Sequence, residues 1–218
     1  MASASTTRLL LWSVLAIVLA ASAAGGLYRL VRPGVHAGAA GGESLPVLGE
    51  LPSFTLTERS GRTVGSADLK GRPWIASFVF TRCTGVCPAV SGAMAAVQAR
   101  IRERGGSRAR LVSFSVDPGH DTPEVLGGYA RGFGADAERW WFLTGEKEPL
   151  YRLIRDGFRL SVAELGPGET APPDGDLITH SDRMVLIDGE LRIRGYYHGR
   201  EPEAVAKLIA DLERIDGN

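Results

Sequence analysis

Cysteine is almost absent from this chain: two occur in 218 residues, and they stand four apart, at Cys83 and Cys87. A fold stapled by disulfides normally carries more than one bridge. A bond across so short a loop would also remove little entropy from the unfolded chain. The pair therefore reads as a chemical site before it reads as reinforcement. An excess of charge of either sign is missing too, with 25 basic and 25 acidic side chains. No stretch is a basic patch with interleaved aromatics, so nothing predicts nucleic-acid binding. Histidine is scarce: His36, His120, His180 and His198 are the four candidates for an imidazole role. No segment repeats at a fixed period. What is present is an ordinary apolar fraction, 44%, which argues for a folded core rather than wholesale disorder. The length suits one sizeable domain, or at most two small ones.

One long apolar run stands at the N-terminal end. Residues 9–27 (LLLWSVLAIVLAASAAGGL) carry no charged side chain, with Arg8 before them and Arg29 and Arg32 after. About 20 such residues can span a bilayer as a helix. No polar face marks the run as a buried core helix. The competing reading is a cleaved signal peptide, with 9–21 as its apolar core and Ala21-Ser22-Ala23 as a small-residue cleavage site. Apolar residues continue past that site to Tyr28, which favours an uncleaved anchor. The expected organisation is a tail (1–8), a transmembrane anchor (9–28), a tether (29–44) and a folded domain (45–218). Within the tether the Gly/Ala-rich stretch 33–44 has little to bury. The arginines after the run argue mildly against an outward-facing domain; the orientation with the N-terminus inside is preferred, though not from these charges.

The domain reads as alternating strands and helices. Residues 54–57 and 63–64, separated by Gly61-Arg62, predict a hairpin. Residues 74–80 (WIASFVF) and 111–116 (LVSFSV) are short apolar runs typical of buried strands. Between them, 89–103 predicts a helix with Val90, Met94, Val97 and Ile101 on one face. Thr122 reads as the N-cap of a further helix with Pro123 at its first position. A strand is expected at 140–143 and a helix at 148–156. The Pro and Gly content of 166–176 marks a loop. Strands at 184–187 and 191–197 flank the turn signal Asp188-Gly189, and an amphipathic helix closes the chain at 201–215. This order predicts an α/β fold, a mixed sheet with helices on both faces. Cys83 follows a strand and a helix follows Cys87, which is where such folds place their sites.

Two thiols at this spacing suit either of two chemistries. The partial positive charge of a nearby helix N-terminus favours thiolates, which attack disulfides or bind metals. Redox sites of the thioredoxin type usually place two residues between the cysteines; here there are three, which suits chelation at least as well. Thiolates select soft centres such as Cu(I), zinc or iron–sulfur clusters. Structural zinc usually takes four ligands, whereas Cu(I) accepts fewer, so two sulfurs and one imidazole suffice. His36 lies in the tether and His198 reads as a surface residue. Composition leaves His120 and His180 both open as the third ligand. Asp117 suits either a bond to a ligand or a turn beside Pro118. Arg82 suits either a thiolate partner or a solvated charge.

The residues Phe80-Thr81-Arg82-Cys83, Cys87-Pro88, Ser115-Val116-Asp117-Pro118, Asp121-Thr122-Pro123 and His180-Ser181 occur in the order found in the Sco/SenC family. With the apolar N-terminal run, the chain from 45 to 215 resembles these thioredoxin-like proteins that build the copper centres of cytochrome c oxidase. The resemblance implies a thioredoxin-like fold, copper ligands at Cys83, Cys87 and His180, and an acidic residue near the metal at Asp117. It implies Cu(I), with Cu(II) as a second state, and a domain on the extracytoplasmic side of a membrane. The partner would be the copper-receiving subunit of cytochrome c oxidase or another copper protein. Many members carry an acid between the cysteines and an aspartate before the histidine; here those positions are Thr84, Gly85, Val86 and Thr179. Fewer carboxylates should weaken Cu(II) binding more than Cu(I) binding.

Two other functions compete with copper delivery. In a thiol–disulfide oxidoreductase, Cys83 would attack and Cys87 would resolve the mixed disulfide; both cysteines would then be catalytic and His180 would matter little. A peroxidase of the same superfamily is disfavoured, because Thr81 stands two residues before Cys83 rather than in the Pro-x-x-x-Thr-x-x-Cys pattern of peroxiredoxins.

Overall fold

The computed structural model describes residues 44–105, 107–164, 178–179 and 182–217. The expected anchor, nearly all of the tether, the loop at 166–176 and His180 lie outside the described residues. Among the described residues, no helix is long and apolar enough to cross a membrane.

The strands are β1 (Gly49–Glu50), β2 (Thr55–Glu58), β3 (Thr63–Gly65), β4 (Trp74–Val79), β5 (Arg110–Ser115), β6 (Trp140–Thr144), β7 (Ala163–Glu164), β8 (Ile178–Thr179), β9 (Arg183–Ile187) and β10 (Arg192–His198). The helices are α1 (Val86–Arg104), α2 (Pro123–Gly132), α3 (Lys147–Arg152) and α4 (Pro202–Asp216). The main sheet runs β1-β10-β9-β4-β5-β6-β2-β3. Its centre is parallel, with β4 against β5 and β5 against β6; the flanking pairs are antiparallel. Every residue of β4 is buried, as expected for a strand covered on both faces.

Alternation along the central strands divides the core in two. Trp74, Ala76, Phe78, Val112, Phe114, Trp141 and Leu143 point to one face, which α3 covers with Leu150 and Tyr151. Ile75, Leu111, Trp140 and Phe142 point to the other, which α1, α2 and α4 cover. The stripe read from the sequence, Val90, Met94, Val97 and Ile101, is the buried face of α1. The mixed sheet with helices on both faces is therefore found as expected.

The differences have local causes. The helix expected to follow Cys87 begins before it, at Val86, with Gly85 as N-cap. Pro88 therefore sits in the first turn, where its missing N–H has no helical partner to lose. The helix expected at 148–156 starts at Lys147 and widens into a π-turn over Leu153–Gly157. Strands β1, β7 and β8 have two residues each, too few for any periodicity to show. In the β9–β10 turn, the positive φ belongs to Leu191. Gly189 serves close approach instead: a Cβ there would lie 3.0 Å from the backbone nitrogen of Arg72.

Candidate metal centre

The loop from β4 into α1 carries both thiols. Cys83 precedes the helix and Cys87 lies in its first turn. Continuing the spacing of Val90 and Met94, Cys87 falls on the buried face of α1 and is fully covered; Cys83 is 5% exposed. Both are reduced. The Cys87 N–H donates to Cys83 Sγ at 3.2 Å. No side chain of Gly85 caps this helix, so the sulfur takes one of the donors that every helix start leaves over. Both cysteines belong to the larger apolar cluster, together with Phe80 and Val116. A soft, low-coordinate cation suits such a donor pair, because thiolate sulfurs are polarisable.

Carboxylates flank the thiols at the end of β5, but each is already engaged. Asp117 accepts both Arg82 Nε at 3.1 Å and Arg82 Nη2 at 2.5 Å on the same oxygen. Its hydrogen bond and negative charge hold the half-exposed Arg82 guanidinium above its ordinary pKa. Asp117 is thus both an ion-pair partner and a turn residue, since its carbonyl accepts the N–H groups of His120 and Asp121. Arg82 is neither a lone solvated charge nor committed to a thiolate.

Asp121 was given no role from sequence, yet it is the anchor of the cysteine loop. It is fully buried and accepts the Thr81 hydroxyl at 2.6 Å, the Thr81 N–H at 3.2 Å and the Ser115 hydroxyl at 2.7 Å. Burial pushes its carboxyl above the usual range, and these hydrogen bonds oppose the shift without cancelling it. The sequence signal was there in Asp121 itself, an aspartate beside the capping Thr122 with Ser115 six residues earlier; only the fold shows that Thr81 meets it.

A tyrosine completes the surroundings. Tyr129 of α2 shares a 2.8 Å hydrogen bond with Ser91 of α1. Burial raises its hydroxyl pKa, with Cys87, Cys83 and Asp121 nearby adding to the rise, so it stays protonated beside the thiols. His120 is exposed on its turn. His198 pairs through Nδ1 with Asp182 at 3.1 Å. His180 lies outside the described residues, and among the described residues no three His, Cys, Asp or Glu side chains gather as a metal cage.

Comparison with known proteins places this arrangement in context. The family model described as SCO1/SenC matches residues 48–215. The chain is 28% identical to the SCO1 protein homolog of Bacillus subtilis, over 80% of this chain and 88% of that one. A solved SCO1/SenC family lipoprotein from Bacillus anthracis is 32% identical, with a TM-score of 0.67 over 76% of this chain and 94% of that chain. The structure of BsSco, described as a Sco family cytochrome c oxidase assembly protein with a disulfide switch, is 26% identical. It has a TM-score of 0.67 and covers 80% of this chain and 98% of that chain.

Proposed function

The chain belongs to the SCO1/SenC family, and from that premise we propose that it is a copper-binding assembly factor that delivers copper to cytochrome c oxidase or prepares its copper site. Cys83 and Cys87 hold the copper cargo with His180 as the third ligand. The observation that carries this reading is the buried cysteine pair, without a disulfide, fixed at the start of α1 by the Cys87 N–H to Cys83 Sγ contact. Two thiolates and one imidazole satisfy Cu(I) and leave it open to capture by a partner's ligands. Asp121 positions the loop, and Asp117 with Arg82 fixes its outer side. The folded domain works on the extracytoplasmic side of a membrane, tied to it by the apolar segment 9–28. A Bacillus anthracis relative described as a lipoprotein supports attachment to a membrane, though by a different anchor.

A second activity rests on the same sulfurs. Their proximity, and the disulfide switch described for BsSco, support a thiol–disulfide exchange in which Cys83 and Cys87 lose two electrons and two protons to a partner disulfide, which is reduced to two thiols. Oxidation would remove both soft ligands, so the two states exclude each other.

Anaerobic Cu(I) titration of the reduced full-length chain tests the first reading. One tightly bound copper, lost in Cys83→Ser and strongly weakened in His180→Ala, is expected. Binding indifferent to His180 would move the weight to disulfide exchange.

A further inference from the structure

The opposite end of the parallel strands carries a different chemistry. Arg72 precedes β4, Arg108 and Arg110 stand at the start of β5, and Arg139 precedes β6. These four residues line one cavity of about 240 Å³. The chain as a whole is neutral, so this concentration of charge is local. Among the described residues, none of the four is in ion-pair contact with a carboxylate. Glu138 is the one acid on the cavity wall, and Asp68 attracts Arg110 only at longer range. The nearby Asp188 is already taken by Arg192 and Arg194. Arg110 stands over Trp141, its Cζ 3.6 Å from the ring centroid, and Arg62 approaches the same ring at 4.8 Å. A guanidinium held over an aromatic ring keeps its N–H donors for ligands in the plane of the group. Burial, together with repulsion from Arg72, Arg62 and Arg139, pushes Arg110 down to about 10.

Solvated arginines on an open surface would spread apart under such repulsion. Here the strand ends hold them around one concavity. We propose that this pole is a binding site for a phosphate-type oxyanion, gripped by Arg72, Arg110 and Arg139 with Arg108 at the rim. A multiply charged tetrahedral anion presents enough oxygens to meet several guanidinium forks at once. A free phosphate and a phospholipid headgroup offer that same chemistry. The site is separated from the thiols by the length of β4, about 20 Å for its six residues, so it is independent of the copper reading.

Two arms of one experiment test this on the full-length chain. Calorimetric titration with inorganic phosphate in uncharged detergent is expected to show saturable binding, weakened about tenfold or more by Arg110→Gln and by Arg72→Gln. Arg72→Gln leaves the Trp141 stack intact, so its effect does not depend on folding. In nanodiscs, hydrogen exchange over 107–110 is compared in phosphatidylcholine alone and with added phosphatidylglycerol. Saturable phosphate binding without lipid-dependent protection assigns a soluble phosphate. Protection that needs phosphatidylglycerol and is lost in Arg72→Gln assigns a headgroup. Absence of both effects, or their survival in Arg72→Gln and Arg110→Gln, overturns the site.

Discussion

Two buried aspartates, one at each end of the central strands, are shifted in opposite directions. At the thiol end Asp121 is surrounded by hydroxyls and an N–H, and its carboxyl rises above the usual range. At the arginine end Asp188 meets Arg194 and Arg192 through its side chain. Burial raises that carboxyl too, but the guanidinium and backbone hydrogen bonds outweigh it and hold it low. The difference is cation supply. Arg82, next to the first thiol, is spent on Asp117, whereas the far end has arginines beyond its acids. An uncommitted cation beside the thiols would repel a copper ion; beyond the far strand ends the same charge can only recruit anions.

The largest expected effect comes from breaking the hydroxyl cradle. Asp121→Ala leaves Thr81 and Ser115 without their acceptor and frees the cysteine loop. Chemical denaturation should show a loss on the order of 3 kcal/mol, and Cu(I) affinity should fall with it. Thr81→Val removes a single side-chain bond and should cost about 1 kcal/mol.

The two carboxyls should also separate by pH. Asp188 has a depressed pKa in the folded state, so it contributes stability above its unfolded value near ~4 and loses it as pH falls through the folded value. Asp121 is raised, so its contribution is present below ~4 and is lost as pH rises through its folded value. Denaturation midpoints followed down from neutrality should therefore fall less steeply in acid for Asp188→Asn than for the parent. Asp121→Asn should instead flatten the loss that occurs as pH rises out of the acid range. Identical profiles for both variants would erase the contrast between the two ends.

A smaller change is expected from Arg82→Ala. The arginine is half exposed, so the discounted loss is about 0.5 kcal/mol by denaturation. The smallest effect belongs to Arg110→Gln on copper: Cu(I) affinity should stay within about twofold, since the charge lies far beyond a Debye length of ~8 Å. A larger drop would show that the ends are coupled.

Much of this was legible in the sequence. The short apolar runs read as buried strands lie at β4 and β5, and the stripe read at helical spacing is the buried face of α1. The Thr122 cap is confirmed by its 3.4 Å bond from the Val125 N–H. The start of α1 was missed because Pro88 reads as a boundary, although the first helical turn tolerates it. The thiol pair was visible as a site because nothing else in the chain is cysteine. The role of Asp121 was not, because its partner Thr81 lies 40 residues away and only the parallel pairing of β4 with β5 brings them together. The arginine pole was invisible for the same reason: its members are scattered in sequence and meet only at the strand ends.

The central claim is that copper is held by Cys83 and Cys87 with His180. Anaerobic competition of the reduced full-length chain against a Cu(I) chelator, with the parent and His180→Ala side by side, tests it most directly. One copper per chain, held at least about tenfold less tightly once the imidazole is gone, is the predicted result. Equal affinity in the two proteins, or no tight copper in the parent, would contradict it.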